Sequence, residues 1–113
     1  MISVTNEYAI YLYTGRADLR KGISGLSGIV RDELGVNPQK PKSIFIFSGR
    51  SNRVKKILVR EYNRYELTTV RLDSGRFIRP VTDNERIGGR ISWSDYVMLT
   101  ESAVQTSTRV SFI

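Results

Sequence analysis

The sequence predicts an α+β fold: a small, largely antiparallel β-sheet, with one main helix packed on one face and a short C-terminal helix. Short segments rich in β-branched and aromatic residues are typical of strands. One apolar stripe with spacings of three and four residues indicates a single long amphipathic helix. The length of 113 residues suits one domain. We therefore expect a single domain over residues 1–113, in which the tail 104–113 is either a strand or a segment ordered by a partner.

The predicted elements follow one another without a linker. Tyr8–Tyr13 has strand composition, and the helical stripe from Ile23 to Leu34 is followed by Gly35, a good helix stop. The stripe itself consists of Ile23, Leu26, Val30 and Leu34. The remaining predicted elements are a buried strand at Ser43–Phe47, a hairpin of Val54–Arg60 with Tyr65–Leu72, and a helix that Ser92 caps and that ends near Ser102.

The loop of the predicted hairpin can be chosen by the side chains that it places opposite each other. A two-residue turn at Asn63-Arg64 would pair Glu61 with Glu66, which are like charges. A three-residue loop, Tyr62–Arg64, would instead pair Val59 with Leu67. We therefore predict the longer loop, with Arg64 in the left-handed position that glycine prefers.

The chain contains neither cysteine nor histidine. This excludes disulfides, cysteine-ligated zinc, a Ser-His-Asp triad and histidine metal sites. The acidic residues are scattered, and no glycine motif for nucleotide phosphates is present. We therefore expect no enzymatic activity, no metal and no cofactor.

The location is predicted from the apolar segments. The first residues lack the basic start and apolar run of a signal peptide. The apolar run Ile44–Phe47 is far shorter than the ~20 residues of a membrane span. We expect a cytoplasmic protein without membrane contact.

The positive charge is concentrated in the middle of the chain. The formal net charge is +7, and residues 44–90 hold eleven Lys or Arg against five Asp or Glu. Such a concentration indicates a phosphate-binding surface, to which Tyr62 and Tyr65 would add base stacking. The alternative is a solvated sheet face that serves solubility.

A second candidate lies before the main helix, in Asp18-Leu19-Arg20-Lys21-Gly22. Arg20 and Lys21 near a helix start can hold a phosphate. Asp18 is expected to cap or pair locally.

Several of these segments together resemble one family. The matching segments are Asp18–Ile23 with Gly25-Leu26, Ile44–Phe47 with Arg50, Lys56–Leu58, Arg71–Phe77 with Pro80, and Ile91–Leu99. In this order they are similar to the accessory transposition protein TnpB, or Orf2-like protein, of the insertion sequence 66 family. The chain departs from the family's glycine-containing hairpin loop, having Arg60-Glu61-Tyr62-Asn63-Arg64 there.

The resemblance implies a non-enzymatic factor that assists transposition. Its implied partners are DNA, at transposon ends or non-specifically, and the transposase of the same element. As an alternative, the chain is an adaptor that docks on the transposase through Thr106–Ile113 or the Trp93 helix, without touching DNA. The oligomeric state stays open. A DNA site would use the cations on matched motifs, with three supporting cations: Arg20, Lys21, Arg50, Lys56, Arg71 and Arg76, and in support Arg53, Lys55 and Arg60.

Overall fold

Ile44–Phe47 is completely buried, which places this strand at the centre of the protein. The structure is a computed structural model and describes residues 4–82, 86–101 and 107–113. In chain order its elements are β1 (Ala9–Arg16), α1 (Ile23–Ile29, continued by a π-helical segment Val30–Leu34), β2 (Ser43–Ser48), β3 (Val54–Arg60), β4 (Tyr65–Arg71), β5 (Arg79–Val81), β6 (Gly88–Ile91), α2 (Trp93–Glu101) and β7 (Ser107–Arg109).

The main sheet has five strands in the order β4-β3-β2-β1-β6. β1 and β2 run parallel and are connected through α1, as parallel neighbours require a crossover. The other three neighbouring pairs are antiparallel. The predicted fold class, a largely antiparallel sheet with one main helix and a short C-terminal helix, is confirmed.

Both faces of the sheet are covered. On one face, Leu26 and Val30 of α1 pack against Phe45, Phe47 and Leu58. On the other face, Leu99 of α2, Val110 near the end of the chain and Ile78 pack with the alternate strand residues Ile10, Leu12, Ile44, Ile46, Val59 and Ile91. A strand buried on both faces needs apolar residues at every position, which explains the unbroken apolar run of β2.

The predicted start of each helix and the end of the first agree with the structure, whereas the predicted end of the second, Ser102, lies outside the described residues. Gly35 closes the first helix in the left-handed conformation, with φ of 68°. The Ser92 hydroxyl accepts a hydrogen bond from the Asp95 backbone N–H at 3.1 Å, which is an N-terminal cap. The predicted stripe is fully buried only at Leu26 and Val30, since Ile23 is 37% exposed.

The predicted hairpin register is wrong by one residue. Val59 lies opposite Glu66, and Arg60 lies opposite Tyr65. The Glu61 N–H donates to the Arg64 carbonyl at 2.9 Å, so only Tyr62 and Asn63 connect the strands. This register turns Tyr65 and Leu67 toward the α1 face, where they join the apolar cluster. Among the described residues, the non-glycine positions with positive φ are Lys42 and Asn52, so Arg64 carries no such strain.

The end of the chain belongs to the folded structure from Ser107 onward. β7 pairs in parallel with β5, and Val110 is 1% exposed. Residues 102–106, which include the start of the expected tail strand, lie outside the described residues.

Candidate nucleic-acid interface

The basic residues converge on the end of the sheet where β2 turns into β3. An open groove of about 840 Å³, here called the strand groove, runs from the end of β1 across β3 and β4. Strand alternation directs Lys56 to the same side of the sheet as its partner Thr69. The cations that line the strand groove are Arg16, Arg20, Arg50, Lys56 and Arg71.

A second groove, of about 380 Å³, lies between the end of β1 and β5. We call it the arginine groove, because Arg16, Arg50, Arg76 and Arg79 line it and no acidic residue in the described part of the chain does. The two grooves share Arg16 and the stretch Gly49–Ser51. They therefore form one continuous basic surface around the β2–β3 turn. Among the described residues, the single acid Asp18 and seven cations line this surface: Arg16, Arg20, Arg50, Lys56, Arg71, Arg76 and Arg79.

The β2–β3 turn is held in place by residues that are distant in sequence. The Arg16 guanidinium donates to the carbonyls of Gly49 and Arg50, at 3.3 and 2.6 Å. The Arg76 guanidinium donates to the Ser51 carbonyl at 3.1 Å. These acceptors are neutral carbonyls, so the hydrogen bonds fix the position of both guanidinium groups without pairing them with an acid.

Asn52 locks the same turn to the segment after β4. Its backbone is left-handed, with φ of 57°, a conformation that asparagine tolerates better than most residues. Its side-chain amide donates to the Phe77 carbonyl at 2.7 Å, and the Phe77 N–H donates to the Asn52 carbonyl at 2.9 Å. The turn is thereby rigid at the point where the two grooves meet.

Asp18 and Arg20 form a local ion pair at the edge of the strand groove. Two guanidinium nitrogens of Arg20 each lie 3.0 Å from an oxygen of Asp18. The hydrogen bond from Arg20 lowers the pKa of Asp18 to about 2. The local role expected for Asp18 agrees with this contact, and the charge of Arg20 is largely balanced.

Lys55 lies in the interior, unlike its neighbour Lys56. Its side chain is completely buried, and its ammonium lies 3.0 Å from the Ser48 hydroxyl and 5.2 Å from the centre of the Phe77 ring. Burial lowers the pKa of Lys55 to about 8. An ammonium in this position does not reach a phosphate outside the protein directly.

The nine residues selected from the sequence therefore separate into groups. Arg20, Arg50, Lys56, Arg71 and Arg76 line the two grooves. Arg53 is exposed in the turn between them, and Lys21 adjoins the strand groove, its carbonyl accepting from the Lys56 ammonium at 3.2 Å. Lys55 is buried behind Ser48.

Arg60, the last of the nine, lies at the opposite end of β3. Its guanidinium stacks over the Tyr65 ring at 4.6 Å. Three acidic residues occur at this end: Glu7 pairs with Lys42, Glu61 accepts from the Tyr8 hydroxyl, and Glu66 lies near Arg64. The two ends of the sheet therefore differ in charge.

Sequence reasoning missed Arg16 and Arg79. Arg16 stands outside the basic segment, and only the parallel pairing of β1 with β2 brings it opposite Ser48. Arg79 lies within the basic segment 44–90 but outside the matched family motifs. A strand ending in arginine beside a predicted turn would have been the available signal for Arg16.

The described residues give no indication of a metal centre or a membrane segment. No cluster of three or more acidic side chains with metal-binding geometry occurs in them. Within the same part of the chain, no helix combines the length and apolarity needed to cross a bilayer.

The fold and the grooves define a small α+β protein with a basic surface at one end of its sheet. The sequence model of the family described as IS66 Orf2-like protein matches residues 8–109. The chain belongs to this family, which confirms the resemblance found in the motifs. Membership implies that it is an accessory protein of transposition.

One curated protein is similar to most of the chain. The uncharacterized protein y4hO of Sinorhizobium fredii (strain NBRC 101917 / NGR234) is 34% identical over 85 residues, which is 75% of this chain and 70% of that protein. No solved structure matches the chain.

Proposed function

We propose that the chain is a non-enzymatic accessory factor of transposition that binds double-stranded DNA through the strand groove and the arginine groove. The observation that carries this proposal is that, of the residues the structure describes, seven cations and one acid converge on a single surface around the β2–β3 turn. A DNA backbone is the cellular polyanion that a transposition factor meets, and lysine and arginine bind it by releasing its counterions.

The residues around the grooves favour contact with the phosphate backbone over the stacking of bases. Tyr62, which is 78% exposed, is at the hairpin tip, at the other end of β3 from the grooves. Tyr13 lines the arginine groove but is 7% exposed. We therefore expect binding that depends strongly on salt, prefers a duplex to an unpaired strand, and carries little sequence specificity.

The test compares two triple variants that each remove three positive charges. In the first, Arg50, Lys56 and Arg71 of the strand groove become glutamine. In the matched control, Lys40, Lys42 and Arg64 become glutamine; these exposed cations lie at the opposite end of the sheet. Affinity for a transposon-end duplex and for a scrambled duplex is measured across a range of salt concentrations.

The groove variant should reduce the slope of log affinity against log salt by about 2–3, since each lost phosphate contact contributes about 0.9. The control should leave the slope close to that of the wild type. Equal losses in both variants would mean that only net charge matters, and the proposal would be wrong. The proposal would also be wrong if the wild-type protein bound neither duplex at about 50 mM salt.

The transposase remains a proposed partner, and we seek its docking site among side chains that the fold leaves exposed. The C-terminal segment contributes the buried Val110 to the core, and Trp93 packs on Tyr96 with ring centres 5.2 Å apart. Deleting the tail would therefore damage the fold. The exposed Tyr62 favours the hairpin tip as the docking element, away from the DNA grooves.

Docking through the hairpin tip is tested by co-purification with full-length transposase. Tyr62→Ser should reduce recovery of the transposase without changing DNA affinity. Unchanged recovery would argue against this docking site. We place the encounter of protein, transposase and DNA in the cytoplasm.

A further inference from the structure

We propose that the arginine groove seats one phosphate group, held by the Ser48 hydroxyl with the buried Lys55 ammonium behind it. This deepens the proposed function and rests on it: the strand groove follows the DNA backbone, whereas the arginine groove is a discrete site for a single phosphate. The ligand class is a phosphate oxyanion, either an internal phosphodiester or a terminal phosphomonoester of DNA.

The lining of the arginine groove has the composition of an anion site. Its four arginines are joined by the hydroxyl residues Thr14, Ser48 and Ser51 and by the amide residue Asn52. No carboxylate of the described residues lines it, in contrast to the strand groove, where Asp18 balances Arg20. As far as the described residues line it, the arginine groove therefore offers donors and positive charge without a competing acid.

Two of its arginines are already oriented. Arg16 and Arg76 are hydrogen-bonded to carbonyls of the β2–β3 turn. These bonds use part of each guanidinium and leave further N–H groups for a ligand, since a guanidinium has five. A phosphate entering the groove thus meets donors whose side chains lose little conformational freedom on binding.

Ser48 connects the groove to a charge that is otherwise inaccessible. It lines the groove, whereas Lys55 does not. Because the Ser48 oxygen accepts the hydrogen bond from Lys55 at 3.0 Å, its own proton can be donated to a phosphate oxygen. A hydroxyl polarised by an ammonium is a stronger donor than an isolated one.

The environment of Lys55 lacks a counter-charge. Among the described residues its contacts are the Ser48 hydroxyl and the Phe77 ring, and no carboxylate pairs with it. A buried charge without a partner is costly, and a bound phosphate supplies the missing negative charge through Ser48. The lowered pKa of Lys55, about 8, agrees with this unpaired state.

The experiment is a titration of the full-length protein with inorganic phosphate at constant ionic strength, followed by amide NMR. Saturable shifts should appear at the arginine-groove residues Ser48–Asn52. Ser48→Ala and Lys55→Met should each weaken phosphate binding by at least about fivefold, as expected for a hydrogen bond to a charged group. Ser24→Ala, an exposed serine on α1, is the matched control and should bind like the wild type.

A second arm identifies the source of the phosphate. Duplexes of one sequence, with and without a 5′-phosphate, are bound to wild type and to Ser48→Ala. Preference for the phosphorylated end, lost in Ser48→Ala, assigns a terminal phosphate. Equal affinity for both duplexes, weakened in Ser48→Ala, assigns an internal phosphodiester.

The inference is overturned if inorganic phosphate gives no saturable shift, or if Ser48→Ala binds phosphate as the wild type does. In either case, intact duplex binding that is sensitive to the strand-groove triple variant would leave the proposed function standing. If the wild-type protein did not bind duplex DNA at all, the proposed function itself would be wrong. Because Lys55→Met changes a buried side chain and can prevent folding, the outcome is decided by Ser48→Ala.

Discussion

Lys55 and Lys56 are neighbours in sequence but occupy opposite environments. In a strand, successive side chains point to opposite faces, so Lys55 shares its face with Ile57 and Val59. Ile57 and Val59 pack into the core around α2, and Lys55 is buried on the same side. Lys55 was selected from the sequence for its charge, whereas strand alternation sends it inward with Val59.

The lowered pKa of the buried Lys55 should make the stability of the protein depend on pH. Its pKa is about 8 in the folded protein, whereas an unperturbed lysine has a pKa of 10.5, so the unfolded chain binds more protons between these values. The free energy of unfolding should therefore rise as pH increases from 8 toward 10, by at most about 3 kcal/mol. Below pH 8 the full cost of the buried ammonium is present.

Two tyrosines limit this rise at high pH. Hydrogen bonding to Glu61 raises the pKa of Tyr8 to about 12, and burial does the same for Tyr13. Their contribution is present below pH 10 and is lost as pH rises from 10 to 12. Denaturant unfolding across pH 7–12 should give a maximum near pH 10. Lys55→Met should abolish the rise, while Lys56→Met should retain it; a rise in both would refute the assignment.

The hydroxyl of Ser92 should contribute measurably to α2. It caps the helix through the Asp95 N–H at 3.1 Å, and Ser92→Ala should lower the free energy of unfolding by about 1 kcal/mol. Ser94→Ala, two positions later at an exposed site, is the control and should change stability by less than about 0.5 kcal/mol. Equal effects in chemical denaturation would contradict the capping role.

At the scale of elements, the sequence predicted the strands with strong composition and missed those without it. β2 and β3 match their predicted ranges closely. β6 begins Gly88-Gly89, and glycine disfavours strands, so no pattern marked it. It pairs with β1 because the fold brings it there, which local sequence does not record.

Gly88 is required by this pairing. A Cβ at position 88 would collide with the Leu12 carbonyl oxygen and lie 2.6 Å from the Leu34 side chain. Gly88→Ala should therefore lower the free energy of unfolding by about 1–3 kcal/mol, as overpacking does, and lower the melting temperature with it. Gly22→Ala is the matched control, because a Cβ there meets nothing within 4 Å. Comparable melting temperatures of the two variants would show that β6 does not pack as described.

The hairpin of β3 and β4 shows what cross-strand reasoning lacked. The observed loop also keeps Glu61 away from Glu66, so like-charge repulsion does not by itself fix the register; the face that Leu67 occupies does. The α1 face accepts both Leu67 and Tyr65. This apolar environment forms only when α1 packs on the sheet, so the residues of the hairpin alone do not determine its register.

Over the whole molecule, the sequence predicted the fold class and most of the basic surface. Five of the nine selected cations line the grooves. Arg60 was misplaced because strand length separates it from the β2–β3 turn, and Arg16 was missed because it arrives through a parallel pairing distant in sequence. Charge concentration along the chain thus indicated the site, and the sheet topology decided its members.

The central claim, that DNA lies across the strand groove and the arginine groove, is tested most directly by amide NMR with a short duplex. Shift changes should concentrate at Arg16, Gly49–Arg53, Lys56, Arg71 and Arg76, around the β2–β3 turn. They should be small at the opposite end of the sheet, at Lys40–Lys42 and Tyr62–Arg64. Largest changes at that opposite end, or none at any DNA concentration, would contradict the account.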